Sequence, residues 1–170
     1  MKVTFIVPAV GRKPGRRYVR TWEMEPLAIA TLAALTPADI ERCFFDDRVE
    51  SINYDAPTDL VAISVETYTA RRAYQIAARY REKGVPVVMG GFHPTLAPQD
   101  ALQHADAIVV GEAEESWPRL LSDFAADRMQ RQYSPEQRPT LAGRFPDRSI
   151  YGVKRYQPIA LVETARGCKF

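Results

Sequence analysis

The fold is decided by residues 60–91, which read LVAISVETYTARRAYQIAARYREKGVPVVMGG. Residues 60–65 form an apolar, β-branched run of the kind found in strands that are buried on both faces. A helical pattern follows over residues 70–83, and Gly84 is placed to end that helix. A second apolar run, residues 87–89, comes soon after it. Strand, helix and strand in this order predict a parallel βαβ unit.

The same alternation extends along the chain in both directions. Further apolar runs lie at residues 3–7, 43–45 and 107–110. Further helices are predicted at 26–35, 98–103 and 116–126, the last with Ser116 as its N-cap. Five strands alternating with helices predict an α/β fold, a doubly wound five-stranded parallel sheet of Rossmann-like or flavodoxin-like type.

The composition changes after this predicted body. Residues 129–156 are rich in proline, glycine, arginine and glutamine. We therefore expect a sheet domain over residues 1–127, a linker over 128–158, and a separate segment, 159–170, that opens with a strand-like run at 159–162.

Charge and cysteine content limit the classes of function. The 170 residues carry a net charge of +2, from 23 basic and 21 acidic side chains, which does not favour nucleic acid as a partner. Cys43 and Cys168 form no disulfide framework, so a cytoplasmic location is expected. No apolar stretch approaches the roughly 20 residues of a transmembrane helix. Residues 11–20 hold five basic side chains and no acid, and form either a solvated loop or a mobile flap over a ligand or another domain.

Ligands of open parallel sheets bind at the carboxyl ends of the strands, which places the candidate site in four loops. The candidates are Asp46, Asp47 and Arg48; Ser64, Glu66 and Thr67; Gly90, Gly91 and His93; and Gly111 and Glu112. Glycine lets a flat ligand approach the backbone, although a tight turn would explain Gly90 and Gly91 equally well. The nucleotide-binding motifs G-x-G-x-x-G and G-x-x-x-x-G-K-[ST] are missing, and no catalytic residue is assigned.

Three motifs follow one another in the chain: GGFHPT at residues 90–95, GEAE at 111–114 and RGC at 166–168. Together with the helix at 26–35, they resemble the cobalamin-binding domain that precedes the catalytic barrel of B12-dependent radical S-adenosylmethionine enzymes. The resemblance covers residues 3–124 and resumes at 162–170. It implies a B12-binding form of the doubly wound fold.

The resemblance also implies how cobalamin would bind. Ser64, Gly90 and Gly91 match the slot for the displaced nucleotide tail, in which Glu66 replaces the usual leucine. Arg48 stands where the wider B12 fold has a cobalt-ligating histidine. Because a guanidinium offers no lone pair, base-off cobalamin without a histidine ligand is expected. The alternative for Asp46, Asp47 and Arg48 is a surface ion pair of little energetic value. His93 is expected as a polar lining or loop hydrogen-bonding residue.

Cys168 matches the first cysteine of the CxxxCxxC motif, which holds a [4Fe-4S] cluster with S-adenosylmethionine at its open iron. One cysteine cannot build that cluster, so the chain is expected to be an N-terminal module cut from a longer enzyme. The implied partners are a radical S-adenosylmethionine domain and a small-molecule substrate, for a methyltransferase or cyclase. Two alternatives remain open: a flavodoxin-like interaction or scaffold domain without cofactor, and a binder of FMN or a nucleotide.

Overall fold

The computed structural model describes residues 1–11, 23–137 and 145–166. Its strands are β1 (Lys2–Val7), β2 (Glu41–Asp46), β3 (Leu60–Ser64), β4 (Val87–Gly90), β5 (Ala107–Val109) and β6 (Gln132–Tyr133). Its α-helices are α1 (Leu27–Leu35), α2 (Ala70–Glu82), α3 (Phe92–Leu96), α4 (Pro98–His104) and α5 (Ala113–Ala125).

Within the described residues, six parallel strands form one sheet in the order β2-β1-β3-β4-β5-β6. The chain runs outward from β1 to β2 and then returns past β1 to β3, which creates a topological switch point between β1 and β3. In sheets of this kind, the crevice at the carboxyl ends of the strands is where ligands bind. The doubly wound α/β prediction is therefore confirmed.

Helices α1 and α5 cover one face of the sheet. Ile29 of α1 and Trp117 of α5 are buried in the core of this face, and the Trp117 ring lies 5.7 Å from that of Phe5. The indole Nε1 of Trp117 donates a hydrogen bond of 2.9 Å to the hydroxyl of Thr36. Leucine and alanine make up most of α1, and both favour helices. Thr36 ends this helix, as the following proline predicts.

Helices α2 and α4 cover the opposite face. In α2, the buried residues Ala73, Ile76, Ala77 and Tyr80 recur at helical spacing and pack against the sheet. Gly84 follows this helix with a φ of +73°, a conformation that glycine adopts without strain. The two faces together bury the apolar side chains of the strands on both sides, as the continuous apolar runs predicted.

The segment predicted as a linker contains packed structure. Residues 132–133 form β6, which pairs with β5 in the register Val109↔Tyr133. The segment of residues 145–166, here called the strap, carries Tyr151, which is 4% exposed and lies 6.3 Å, ring to ring, from Phe44. The prediction of five strands is therefore wrong by one, because a two-residue strand has no recognisable periodicity. The strand predicted at residues 159–162 is also not formed.

Two helix predictions also need correction. Helix α5 begins at Ala113 with Glu112 as its N-cap, so Ser116 lies inside the helix rather than at its start. The acids Glu114 and Glu115 occupy its first turn, where the helix dipole stabilises negative charge. The short helix α3 was predicted as a loop. Across the described residues, none of the helices has the length and apolar character needed to cross a bilayer.

Candidate functional site

Ser64 and Gly90 end adjacent strands and lie side by side in the sheet. Strand alternation places both on the face covered by α1 and α5, and both are partly exposed. A Cβ built on Gly90 would contact Val109 at 3.6 Å and would meet no other described residue within 4 Å. A Cβ at Gly90 would therefore fit in ordinary van der Waals contact with Val109, on the face where a tail slot is predicted.

Gly91 has a different environment. Its φ is +102°, and a Cβ built there would lie 2.9 Å from the carbonyl oxygen of Val65. The Val65 N–H donates to the Gly90 carbonyl at 2.8 Å, and the His93 N–H donates to the Val65 carbonyl at 3.0 Å. Gly91 is thus required by the turn that links β4 to α3, whereas Gly90 could carry a Cβ without a clash. The tight turn therefore explains Gly91, and close approach of a ligand remains the explanation for Gly90.

His93 is buried between helices on the opposite face. Its Nε2 lies 2.7 Å from the Tyr74 hydroxyl and 3.2 Å from a carboxylate oxygen of Asp100. The Tyr74 hydroxyl donates to Asp100 at 2.7 Å, and burial together with this bond raises the pKa of Tyr74. His93 therefore joins α3 to α2 and α4 by hydrogen bonds. This placement, away from Ser64 and Gly90, does not support contact with a ligand in the slot.

The loop after β2 holds two buried carboxylates. Asp46 is 0% exposed, and it accepts hydrogen bonds from the Arg48 side chain at 2.8 and 2.6 Å and from the Tyr156 hydroxyl at 2.9 Å. Burial lowers the pKa of Arg48, but the hydrogen bond and charge of Asp46 outweigh that effect and raise it. Burial and the Asp46 charge also raise the pKa of Tyr156.

Asp47 is equally buried, at 1% exposed. Arg72 of α2 contacts both of its carboxylate oxygens at 2.8 Å, and the Ala9 N–H donates to it at 3.1 Å. The interpretation of Asp46, Asp47 and Arg48 as a surface ion pair is therefore wrong. Both carboxylates are internal, and they tie the ends of β1 and β2 to α2 and to the strap.

The acids of the loop after β5 pair instead with Arg166 of the strap. Arg166 Nη1 donates to Glu112 at 3.0 Å and also to Glu114, while its other nitrogens contact Glu163 at 2.6 and 2.8 Å. Glu114 is 4% exposed, and its Oε2 has no hydrogen-bond partner among the described residues. The Gly111 N–H donates to the Thr95 hydroxyl at 2.9 Å.

Sequence reasoning singled out the motifs GEAE and RGC but did not connect them. The pairing residues Glu114 and Arg166 are 52 positions apart, and no local pattern joins them. Arg166 was therefore missed as a site residue, although the charge of the GEAE motif was a signal that a basic partner is needed.

Large apolar side chains are exposed at the carboxyl end of the sheet. Tyr68, in the turn after β3, is 66% exposed, and Phe92 and Leu96 of α3 are 67% and 74% exposed. Thr67 is exposed in the same turn, and partial burial raises the pKa of Glu66. Exposed apolar groups at the carboxyl ends of parallel strands are typical of ligand surfaces.

Two predicted features lie outside the described residues: Cys168, and the basic segment beyond residue 11. Within the described ranges, no group of three or more His, Cys, Asp or Glu side chains is arranged to hold a metal ion.

A doubly wound sheet with the strand order β2-β1-β3-β4-β5-β6 places the protein among the open α/β domains, which bind ligands at the carboxyl ends of their strands. Residues 20–121 match the family model described as B12 binding domain. The chain belongs to the B12-binding domain family. The resemblance inferred from the motifs is thereby confirmed.

Two curated relatives come from Chlorobaculum tepidum. Bacteriochlorophyllide d C-8(2)-methyltransferase is 39% identical over 121 residues, which cover 71% of this chain and 27% of that protein. Bacteriochlorophyllide d C-12(1)-methyltransferase is 29% identical over 150 residues, which cover 84% of this chain and 33% of that protein. The chain thus spans a third or less of the length of these relatives.

Proposed function

We propose that this chain is the cobalamin-binding module of a B12-dependent radical S-adenosylmethionine methyltransferase. The observation that carries the proposal is the pair of small, partly exposed residues Ser64 and Gly90, which lie side by side at the carboxyl ends of β3 and β4, in a chain of the B12-binding family. The names of both relatives favour a methyltransferase over a cyclase.

In this proposal Ser64 and Gly90, at the carboxyl ends of β3 and β4, would border the nucleotide tail. Ser64 offers a hydroxyl at one side of the slot, and Gly90 leaves room for the flat base. Glu66, which is bulkier than Ser64 and Gly90, borders the same end of the sheet, and its carboxyl is already partly desolvated. The tail therefore meets one hydrogen-bonding group and a backbone surface.

The corrin ring is proposed to lie across the carboxyl ends of the strands. Tyr68, Phe92 and Leu96 present exposed apolar surface there, and contact with the ring would remove that surface from water. Thr67, Gly111 and Glu112 complete the proposed rim.

In this proposal the loop after β2 would supply no ligand to bound cobalamin. Arg48 occupies the position of the expected histidine, and its guanidinium is engaged with Asp46. Because arginine remains protonated, it donates hydrogen bonds but cannot ligate a metal. The proposed state is therefore base-off cobalamin without a histidine ligand.

Bound cobalamin supplies the metal chemistry of methyl transfer, and the protein orients it. We propose that the whole enzyme adds a radical S-adenosylmethionine domain, with Cys168 as the first ligand of its [4Fe-4S] cluster and with a small-molecule substrate. The 170 residues alone are expected to bind cobalamin and to catalyse no reaction.

The adjacent glycines provide a matched test of the slot. Hydroxocobalamin is titrated into the purified chain while its absorption spectrum and the protein's melting temperature are followed. The wild type is expected to show a spectral change and a rise in melting temperature, because a ligand that binds the native state stabilises it.

Gly90→Val is expected to weaken cobalamin binding at least tenfold, by about 1.4 kcal/mol or more, with the melting temperature of the free protein nearly unchanged. Gly91→Ala is the control, and it should lower the melting temperature, because its Cβ would meet the Val65 backbone at 2.9 Å. Unchanged cobalamin affinity in Gly90→Val would refute the slot. No binding by the wild type at saturating cobalamin would favour the scaffold function, and quenching of FMN fluorescence would favour a flavin binder.

A further inference from the structure

The strap is bound along α1 and the residues before it. The Arg148 side chain donates to Glu25 at 2.6 Å, and the Tyr151 hydroxyl donates to the Pro26 carbonyl at 3.1 Å. The Gln157 N–H donates to the Glu23 carbonyl at 2.9 Å. These contacts lie on the α1 side of the molecule. They fix the middle of the strap but not its far end.

Arg148 also donates to the carbonyl of Leu161, and beyond that residue the far end is held through the guanidinium of Arg166. Arg166 is 24% exposed in its side chain and contacts Glu112 and Glu114, which belong to the loop after β5 and the first turn of α5. Its third partner, Glu163, belongs to the strap itself. Two of the three carboxylates therefore join the strap to the sheet domain, and the third shapes the strap locally.

The charges explain why this contact is specific. Glu114 is almost fully buried, and a buried carboxylate is costly unless a cation and hydrogen bonds compensate for it. Among the described residues, Arg166 donates a hydrogen bond to Oε1 of Glu114, whereas Oε2 has no partner. Lysine, with its single ammonium, would not contact three carboxylates in the same fixed geometry.

We propose that Arg166 is a positioning residue that fastens the strap to the loop after β5 and so fixes where the chain leaves the domain toward Cys168. The fastening point lies at the carboxyl end of the sheet, the same end as Ser64 and Gly90. The consequence for Cys168 rests on the proposed function, whereas the fastening itself does not require cobalamin.

The fastening is tested by backbone NMR relaxation on the full 170-residue chain without cofactor. In the wild type, residues 163–166 should have order parameters near those of a rigid backbone, about 0.8, and in Arg166→Gln these should fall below about 0.6. Arg155→Gln is the matched control, since it removes the same charge from an exposed residue of the strap. Its order parameters should equal those of the wild type.

A second measurement uses trypsin, which must bind a free arginine side chain. Cleavage after Arg166 should be about fivefold faster in Glu112→Gln/Glu114→Gln than in the wild type, as expected for loss of partly exposed ion pairs. Cleavage after Arg155 is the internal control and should be unchanged.

Glu163→Gln should leave cleavage after Arg166 within about twofold of the wild type, because the contacts to the sheet domain remain. Three results would overturn the proposal: a rigid strap end in Arg166→Gln, equal acceleration by Glu163→Gln, or the same loosening in Arg155→Gln. The cobalamin titration is separate, so failure of one proposal does not conceal failure of the other.

Discussion

The loops after β2 and β5 each place two acids at the carboxyl end of the sheet, but their acids are paired with different parts of the chain. Asp46 and Asp47 are paired with arginines of the sheet domain, Arg48 and Arg72. Glu112 and Glu114 are paired with the strap through Arg166. The two buried acids of the first loop therefore take their cations from the sheet domain, with only the Tyr156 hydroxyl added by the strap, whereas the second loop takes its cation from the strap.

The largest effect is expected for Asp47→Ala. This change leaves Arg72 without its buried carboxylate and removes the acceptor for the Ala9 N–H, and it should lower the free energy of unfolding by about 3 kcal/mol. Urea denaturation measures the change. Asp55→Ala is the control, since Asp55 is 90% exposed in its pair with Lys83 and its loss should cost much less. Equal losses in the two variants would remove the distinction between the loops.

Tyr156→Phe tests how far the first loop depends on the strap. The variant removes a hydrogen bond of 2.9 Å to Asp46, which keeps its two bonds from the Arg48 side chain. The expected loss in the free energy of unfolding is about 1.5 kcal/mol, typical of a hydrogen bond to a charged group. A loss as large as that of Asp47→Ala would show that the loop after β2 is not complete within the sheet domain.

Glu114→Ala should cost less, within about 1 kcal/mol of the wild type in urea denaturation. The variant loses the contact with Arg166 but also removes a buried oxygen that has no hydrogen-bond partner among the described residues. Arg166 keeps Glu112 and Glu163. A loss of several kcal/mol would show that Glu114 stabilises the fold as much as Asp47 does, and it would contradict the difference between the two loops.

Glu66 offers a third case, a carboxyl whose pKa is raised by burial alone. The folded protein then holds the proton more tightly than the unfolded chain, so this group's contribution to stability falls as pH rises above the ordinary glutamate pKa, about 4.3. Glu66→Gln should raise stability by no more than about 0.5 kcal/mol at pH 7, because the group is solvent-screened, and by nothing at pH 3. Melting temperatures at both pH values measure this, and a benefit that persists at pH 3 would assign the effect to another cause.

Much of the sheet could be predicted from the sequence. The strands β1, β3 and β4 are runs of apolar residues, and α2 carries a regular apolar stripe that Gly84 ends. The missed elements are short. Neither the two residues of β6 nor the five of α3 give a periodic signal.

The site could be predicted less completely, because its pairings are distant in sequence. The residues of each loop were identified, but Asp47 pairs with Arg72 across 25 positions and Asp46 with Tyr156 across 110. Local patterns do not record such contacts. The direction in which His93 points, into the α2 and α4 layer, also depends on Tyr74 and Asp100. Only the assembled fold brings those groups together.

The long separations across the strap also bear on the order of folding. Tyr151 and Arg148 contact residues 125 and 123 positions earlier in the chain. Closing loops of that length costs entropy before the contacts can form, so non-local contacts of this kind slow folding. During synthesis, Tyr156, whose hydroxyl donates to Asp46, leaves the ribosome long after β2 has emerged. Substitutions in the strap should therefore accelerate unfolding more than they delay folding.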